Sequence, residues 1–209
     1  MRIDRLRGLY AVTPDGVETA RLCAMVGAAI DGGATAVQYR DKMATEALRR
    51  ERAAALARLC RRRGALFIVN DDATLAGEVD ADGVHIGEDD GAIADARQPL
   101  PSGRIVGVSC YDDLDRARLL AREGADYIAF GSFFASTVKP AARRADVSLV
   151  RAAKSLGVPV VAIGGITSEN APALVDAGVD AVAVISDVFA HDDLADVTRA
   201  AARIAACFG

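Results

Sequence analysis

Short apolar runs alternate with longer amphipathic stretches along the whole chain. The runs predict strands at Leu9–Val12, Ala36–Tyr39, Leu66–Val69, Gly83–Ile86, Ile105–Val108, Tyr127–Phe130, Val160–Ile163 and Ala181–Val184. Ala/Leu/Arg-rich segments between them predict helices over Val17–Ile30, Thr45–Arg63, Leu114–Arg122, Val147–Ser155, Glu169–Asp176 and Leu194–Ala206. Shorter helical segments are expected near Ala73–Gly77 and Ala92–Arg97. Gly64, Gly124, Gly157 and Gly178 each follow a helical run and precede a strand, the place where a left-handed residue ends a helix. Val160 to Ile163 carries no polar residue, as expected of a strand buried on both faces in a parallel sheet covered by helices.

A weak internal repeat supports the same architecture. GGATAVQYR, DADGVHIG, GADYIAFG and GVDAVAVIS each place a turn of small residues before a strand. About eight strand–helix units share 209 residues, roughly 26 each. The expected fold is therefore a single-domain α/β protein, a (β/α)8 TIM barrel spanning residues 1–209, with a doubly wound open sheet as the structural alternative.

Composition narrows the function. At 52% hydrophobic and 26% charged, the chain can build an aliphatic core and is not disordered. A net charge of −4 supplies no basic field, so neither nucleic acid nor an anionic membrane is an expected partner. No apolar run approaches the roughly 20 residues of a membrane span, and no apolar signal segment follows the basic start. Cys23, Cys60, Cys110 and Cys207 are scattered, without metal-type spacing, which points to reduced thiols and a cytoplasmic protein. His85 and His191 are the only histidines, so acid–base chemistry by histidine has few candidates, and His85 within a strand reads as a hydrogen-bonded structural residue.

The chemistry concentrates where strands end. The run Val160–Ile163 meets Gly164-Gly165, and Ser168 reads as the N-cap of the next helix, a combination that favours an anion. Ile185-Ser186 ends the following strand in the same way, and two such neighbouring ends late in a barrel fit a phosphate site. After the second strand, alternation puts Gln38, Arg40 and Lys42 on one face and Val37 and Tyr39 on the other. Two cations facing the barrel axis need anions to pair with, and a diphosphate suits them. Asn70-Asp71-Asp72 closes the third strand, with Asp72 expected as a helix N-cap, and Glu88-Asp89-Asp90 follows the fourth. In a barrel Asp71 and Asp90 come together as two hard oxygen donors of the kind that hold Mg2+ with waters and a phosphorylated substrate. Ser109 ends the fifth strand, and a long connection after the sixth carries Ser136, Thr137, Lys139, Arg143 and Arg144, which could close over a phosphate.

These pieces, in this order, resemble the thiamine phosphate synthase family, whose barrel enzymes join the pyrimidine and thiazole halves of thiamine. The resemblance rests on Gln38–Lys42 (QxRxK), Asn70-Asp71, ADGVHIGEDD at Ala81–Asp90, GADY at Gly124–Tyr127, the hydroxyl-rich loop ending in Lys139, and AIGGI at Ala162–Ile166. It implies that Gln38, Arg40, Lys42, Asn70, Ser109 and Lys139 contact a pyrimidine diphosphate, with Arg40, Lys42, Ser109 and Lys139 carrying the catalysis. It implies Asp71 and Asp90 as Mg2+ ligands, and Ser136, Thr137, Val138, Gly165, Ile185 and Ser186 as the holders of a thiazole phosphate. The implied reaction loses pyrophosphate from the pyrimidine methylene, and the thiazole nitrogen attacks the cation left behind. It needs charge neutralisation and a dry site rather than a nucleophilic side chain.

The chain departs from the family pattern at Tyr39, where a Leu is usual, and in one loop. Ser136-Thr137-Val138-Lys139 stands where Thr-x-Thr-Lys is common, and Gly131-Ser132 where Gly-Pro is usual. The alternatives are a thiazole tautomerase of the same family, another phosphate-binding barrel enzyme of the sugar-phosphate epimerase or isomerase kind, and a catalytically degenerate binding protein. The paired carboxylates and the QxRxK set argue against the first, and the lack of a clear acid–base pair argues against the second. Val138 keeps the third open. The expected partners are small molecules, and a homo-oligomer is left open.

Overall fold

The computed structural model describes residues 3–135 and 144–209. Eight strands form a closed barrel in chain order: β1 Gly8–Val12, β2 Ala34–Tyr39, β3 Leu66–Asn70, β4 Gly83–Ile86, β5 Ile105–Tyr111, β6 Tyr127–Gly131, β7 Val160–Ile163 and β8 Ala181–Val184. Every neighbouring pair is parallel, and β8 closes on β1 through Leu9 opposite Val182 and Ala11 opposite Val184. The expected barrel is thus found, and the open sheet is not. The helices are α1 Thr19–Asp31, α2 Glu46–Arg63, α3 Ala73–Glu78, α4 Ile93–Arg97, α5 Leu114–Arg122, α6 Val147–Ala153, α7 Ala171–Ala177, α8 Ser186–Phe189 and α9 Leu194–Ala205.

Strand alternation builds two cores. Leu9, Val37, Phe67, Val84, Val106, Ile128, Val160 and Val182 point outward and pack with the helices, for example Leu22, Leu56, Leu174 and Ile204. Tyr10, Ala36, Ile68, Ile105, Tyr127, Val161 and Ala181 point inward, and Ile3 and Leu6 join them at the N-terminal end of the barrel. Burying both faces accounts for strands that read as continuous apolar runs.

The sequence repeat proves to be a repeat of strand pairs. Asp82, Asp126 and Asp180 stand just before β4, β6 and β8. Each carboxylate accepts a hydrogen bond from the backbone of the preceding strand: Phe67 N at 2.9 Å, Val106 N at 2.8 Å and Val160 N at 2.9 Å. The aspartates pin β4, β6 and β8 to the strands before them, and in the first repeat, before β2 and without an aspartate, the Thr35 hydroxyl reaches Leu9 O at 3.3 Å.

Helix starts follow their caps. Asp72 caps α3 by accepting from Leu75 N at 2.8 Å, as expected. Helix α1 begins at Thr19 rather than Val17, because the Glu18 carboxylate takes the N–H groups of Ala20 and Arg21. Ser168 is not an N-cap. Asn170 accepts from Thr167 N at 2.9 Å and donates to Gly165 O at 3.0 Å, and this closed turn delays α7 to Ala171. The Ser168 N–H instead donates to Asp187 at 3.2 Å.

Candidate active site

A closed parallel barrel sends the C-terminal ends of all eight strands to one rim, and the sequence candidates that the structure describes lie there. Thr13, just past β1, splices the rim at β2. Its N–H donates to Gln38 O at 2.9 Å, and its hydroxyl donates to Arg40 O at 2.8 Å while accepting from Arg40 N at 2.9 Å. These bonds prolong the β1–β2 ladder beyond Tyr39 and carry Arg40 onto the mouth. Asp15 of the β1–α1 loop then takes Arg40 Nη1 at 2.7 Å on one oxygen and the backbone N–H of Lys42 at 2.8 Å on the other. Arg40 thereby has the anion that its inward position requires, and Lys42 remains exposed with its Nζ 3.8 Å from Asp71.

Beneath this turn lies a buried ion pair. The Asp41 carboxylate accepts from Met43 N at 3.0 Å and Ala44 N at 3.1 Å, and its second oxygen pairs with Arg52 of α2. Both side chains are almost sealed, at 7% and 1% exposure for Arg52 and Asp41. The pair clamps the turn that presents Arg40 and Lys42.

Asp71 has φ +63°, a left-handed conformation that Asp tolerates better than most residues. Its N–H donates to His85 O at 2.8 Å, which ties the end of β3 to β4. Burial raises the Asp71 pKa first, and the adjacent Asp90 carboxyl raises it further, opposed by Lys42. Asp90 is held by accepting from Gly87 N at 2.7 Å, and Tyr111 OH accepts from Glu88 N at 3.3 Å across the same loop. A carboxyl whose proton affinity is raised by burial and by a neighbouring carboxyl belongs to a donor set that a divalent cation relieves. Among the described residues no cluster of three or more His, Cys, Asp or Glu forms a protein-only metal cage. Asp71 and Asp90 therefore fit a hard cation whose remaining ligands are waters and phosphate oxygens. A small cavity of about 60 Å³ runs from Arg40, Lys42 and Asp71 toward Tyr39, Arg49 and Leu75, between the ends of β2 and β3 and the helices outside them.

Gln38 and Ser109 point into the barrel below the mouth, and Ser109 lies within β5 rather than at its end, because β5 continues to Tyr111. Gln38 Nε2 donates to Tyr10 OH at 2.9 Å, and Ser109 Oγ lies 2.9 Å from His85 Nε2. His85 is the buried, hydrogen-bonded residue that its strand position suggested, and burial pushes its pKa down to about 4. Across the same rim, at the end of β7, Gly164 and Gly165 have φ of +105° and +62°. A Cβ at Gly165 would lie 2.2 Å from Ala135 O, and one at Gly164 would lie 2.1 Å from Ser132 Oγ. The glycines thus admit the start of the β6–α6 connection, which bonds to them through Phe134 N to Gly164 O at 2.9 Å. Ile185 and the exposed Ser186 sit where β8 passes into α8. Ser136, Thr137, Val138, Lys139 and Arg143 lie outside the described residues. Asp15, Thr13, Tyr10 and Tyr127 are the rim and lining residues to which the sequence reading gave no role, although Tyr127 closes the GADY motif. Strand alternation points Tyr10 and Tyr127 inward, but nothing local in the chain pairs Asp15 with Arg40.

A closed (β/α)8 barrel with cations, carboxylates and hydroxyls gathered at the strand C-termini has the site layout of a barrel enzyme. Residues 9–188 match the family model described as thiamine monophosphate synthase. The chain is 53% identical over 198 residues to a thiamine-phosphate synthase of Chromobacterium violaceum, covering 95% of this chain and 96% of the relative. It is 54% identical over 198 residues to that of Thiobacillus denitrificans, covering 94% and 92%. A solved thiamine phosphate pyrophosphorylase from Pyrococcus furiosus superposes with a TM-score of 0.85 at 37% identity, covering 99% of this chain and 96% of the other. The chain belongs to the thiamine monophosphate synthase family. No helix among the described residues is long and apolar enough to cross a membrane.

Proposed function

We propose that this protein is a thiamine-phosphate synthase that condenses hydroxymethylpyrimidine diphosphate with hydroxyethylthiazole phosphate, or its carboxylate, releasing pyrophosphate. The observation that carries the reading is the meeting of Arg40 and Lys42 with Asp71 and Asp90 at one sector of the mouth, in a chain of this family. The bond between the pyrimidine methylene and the diphosphate oxygen breaks, and its electron pair leaves with pyrophosphate. The thiazole nitrogen then gives its lone pair to the methylene carbon. Arg40 and Lys42 neutralise the leaving group's charge, with Arg40 held on its path by Asp15 and Thr13. Gln38, Asn70 and Ser109 orient the pyrimidine, and Lys139 adds a further cation from the β6–α6 connection. Ser136, Thr137, Val138, Gly165, Ile185 and Ser186 hold the thiazole phosphate. Mg2+ held by Asp71 and Asp90 would supply further charge neutralisation to the diphosphate. Four unpaired thiols support a cytoplasmic setting.

The test is product formation by the purified protein given both substrates and Mg2+, with and without chelator. Thiamine phosphate is expected only when the metal is free. Binding of the diphosphate without product would favour the degenerate binding protein, for which the Val138 substitution is the specific motive.

A further inference from the structure

A single file of hydrogen bonds crosses the interior of the barrel below the mouth. Gln38 Nε2 donates to Tyr10 OH at 2.9 Å, the hydroxyls of Tyr10 and Tyr127 are 3.0 Å apart, Tyr127 OH is 2.8 Å from His85 Nδ1, and His85 Nε2 is 2.9 Å from Ser109 Oγ. The two ends, Gln38 on β2 and Ser109 on β5, are residues that the proposed function places on the pyrimidine substrate. The three middle residues have no role in that reading. The file is built for: the Tyr10 and Tyr127 rings meet edge to face at 6.2 Å, the Tyr127 ring stacks on His85 at 5.5 Å, and a Cβ on Gly107 would lie 1.9 Å from the Tyr127 ring. Tyr10 and Tyr127 are sealed from solvent, so neither phenol can leave its proton without an acceptor.

That requirement gives the file a direction. Gln38 donates to Tyr10, so Tyr10 spends its one proton on Tyr127, and Tyr127 spends its own on His85 Nδ1. A neutral histidine that accepts at Nδ1 carries its proton on Nε2 and donates to Ser109 Oγ. Burial keeps both phenols protonated and His85 neutral, so the file runs wholly in this order or wholly in reverse, and the Gln38 donation sets the order. We propose that Tyr10, Tyr127 and His85 are positioning residues that fix His85 as the Nε2–H tautomer and thereby free the Ser109 proton for donation to an acceptor atom of the pyrimidine substrate. The donation to substrate rests on the proposed function; the tautomer does not. The reverse order, with the Gln38 amide turned over, would put the His85 proton on Nδ1 and consume the Ser109 proton within the protein.

The first measurement is a long-range proton–nitrogen NMR spectrum of the free, nitrogen-labelled protein. The protein has two histidines, so one His85→Gln variant assigns the signals. A pyridine-like Nδ1 and a pyrrole-like Nε2 at His85 are expected, and the opposite pattern overturns the proposal. The second is the Tyr127→Phe variant, which removes the donor to Nδ1 with little change of shape. It should mix the His85 tautomers and lower kcat/KM for the pyrimidine diphosphate about three- to tenfold, and it should have no such effect in a Ser109→Ala background. An equal loss in both backgrounds would make Tyr127 a structural residue only. Should Tyr127→Phe not fold, Tyr10→Phe leaves His85 Nδ1 as the one acceptor for the Tyr127 proton, so the Nε2–H tautomer must persist in that variant, and a change to Nδ1–H overturns the proposal. If the protein makes no product, calorimetric affinity for the diphosphate replaces kcat/KM, and the spectrum of the free protein decides the tautomer independently of turnover.

Discussion

Asp15 holds Arg40 with one carboxylate oxygen at 2.7 Å and the backbone N–H of Lys42 with the other at 2.8 Å. One acidic side chain from the β1–α1 loop thus aims both cations that β2 delivers to the mouth. Asp15 and Arg40 are 32% and 16% exposed, so the pair adds little to stability and its value lies in orientation. Asp15→Ala is expected to lower kcat/KM for the pyrimidine diphosphate about tenfold with a small change in melting temperature. Asp15→Asn, which can still accept from Lys42 N, should recover part of the loss. Steady-state kinetics beside thermal melts check this, and an unchanged kcat/KM in Asp15→Ala would contradict it.

The Asp71 and Asp90 carboxyls share the mouth with Lys42. Asp71→Asn and Asp90→Asn should each reduce Mg2+-supported turnover about a hundredfold or more. Asn is the informative substitution at 71 because it tolerates the positive φ that Ala would strain. Circular dichroism should show an unchanged fold, and wild-type rates in both variants would remove the metal assignment.

The buried Asp41–Arg52 pair predicts a loss of stability rather than a direct loss of chemistry. Asp41→Ala strands the Arg52 guanidinium away from water, which costs about 3–5 kcal/mol. Urea unfolding should show that loss, and Asp41→Ala/Arg52→Met should cost clearly less than Asp41→Ala alone. A double variant as unstable as the single one would show that the pair's charge is not what the fold depends on.

His85 predicts an acid-side decline in stability. Its ordinary pKa of 6.5 is pushed down to about 4 by burial, so between these values the unfolded chain binds a proton that the folded protein does not. The contribution is complete above pH 6.5, falls as the pH drops toward 4, and is flat below, a span worth about 3 kcal/mol. Urea unfolding of the wild type should therefore weaken more steeply than that of His85→Gln between pH 7 and about pH 4.5. Equal slopes for the two proteins would contradict it.

Strand and helix positions were legible because each depends on neighbours within a few residues. The run from Val160 to Ile163 and the Asp72 cap are local facts, and both stand as the pattern implied. Ser168 misled because the competing Asn170 turn is also local and equally polar, and only the closed geometry of residues 165–170 chooses between them. The rim was legible once a parallel barrel was inferred, since parallel strands put every strand end on one side and so bring Arg40, Asp71 and Asp90 to the same mouth. What only the tertiary structure decided are partners far apart in the chain. Asp15 reaches Arg40 across 25 residues and Tyr10 meets Tyr127 across 117. Such pairs arise from ring closure and from the width of the barrel, quantities set by the packing of all eight strands and recorded in no single stretch of sequence.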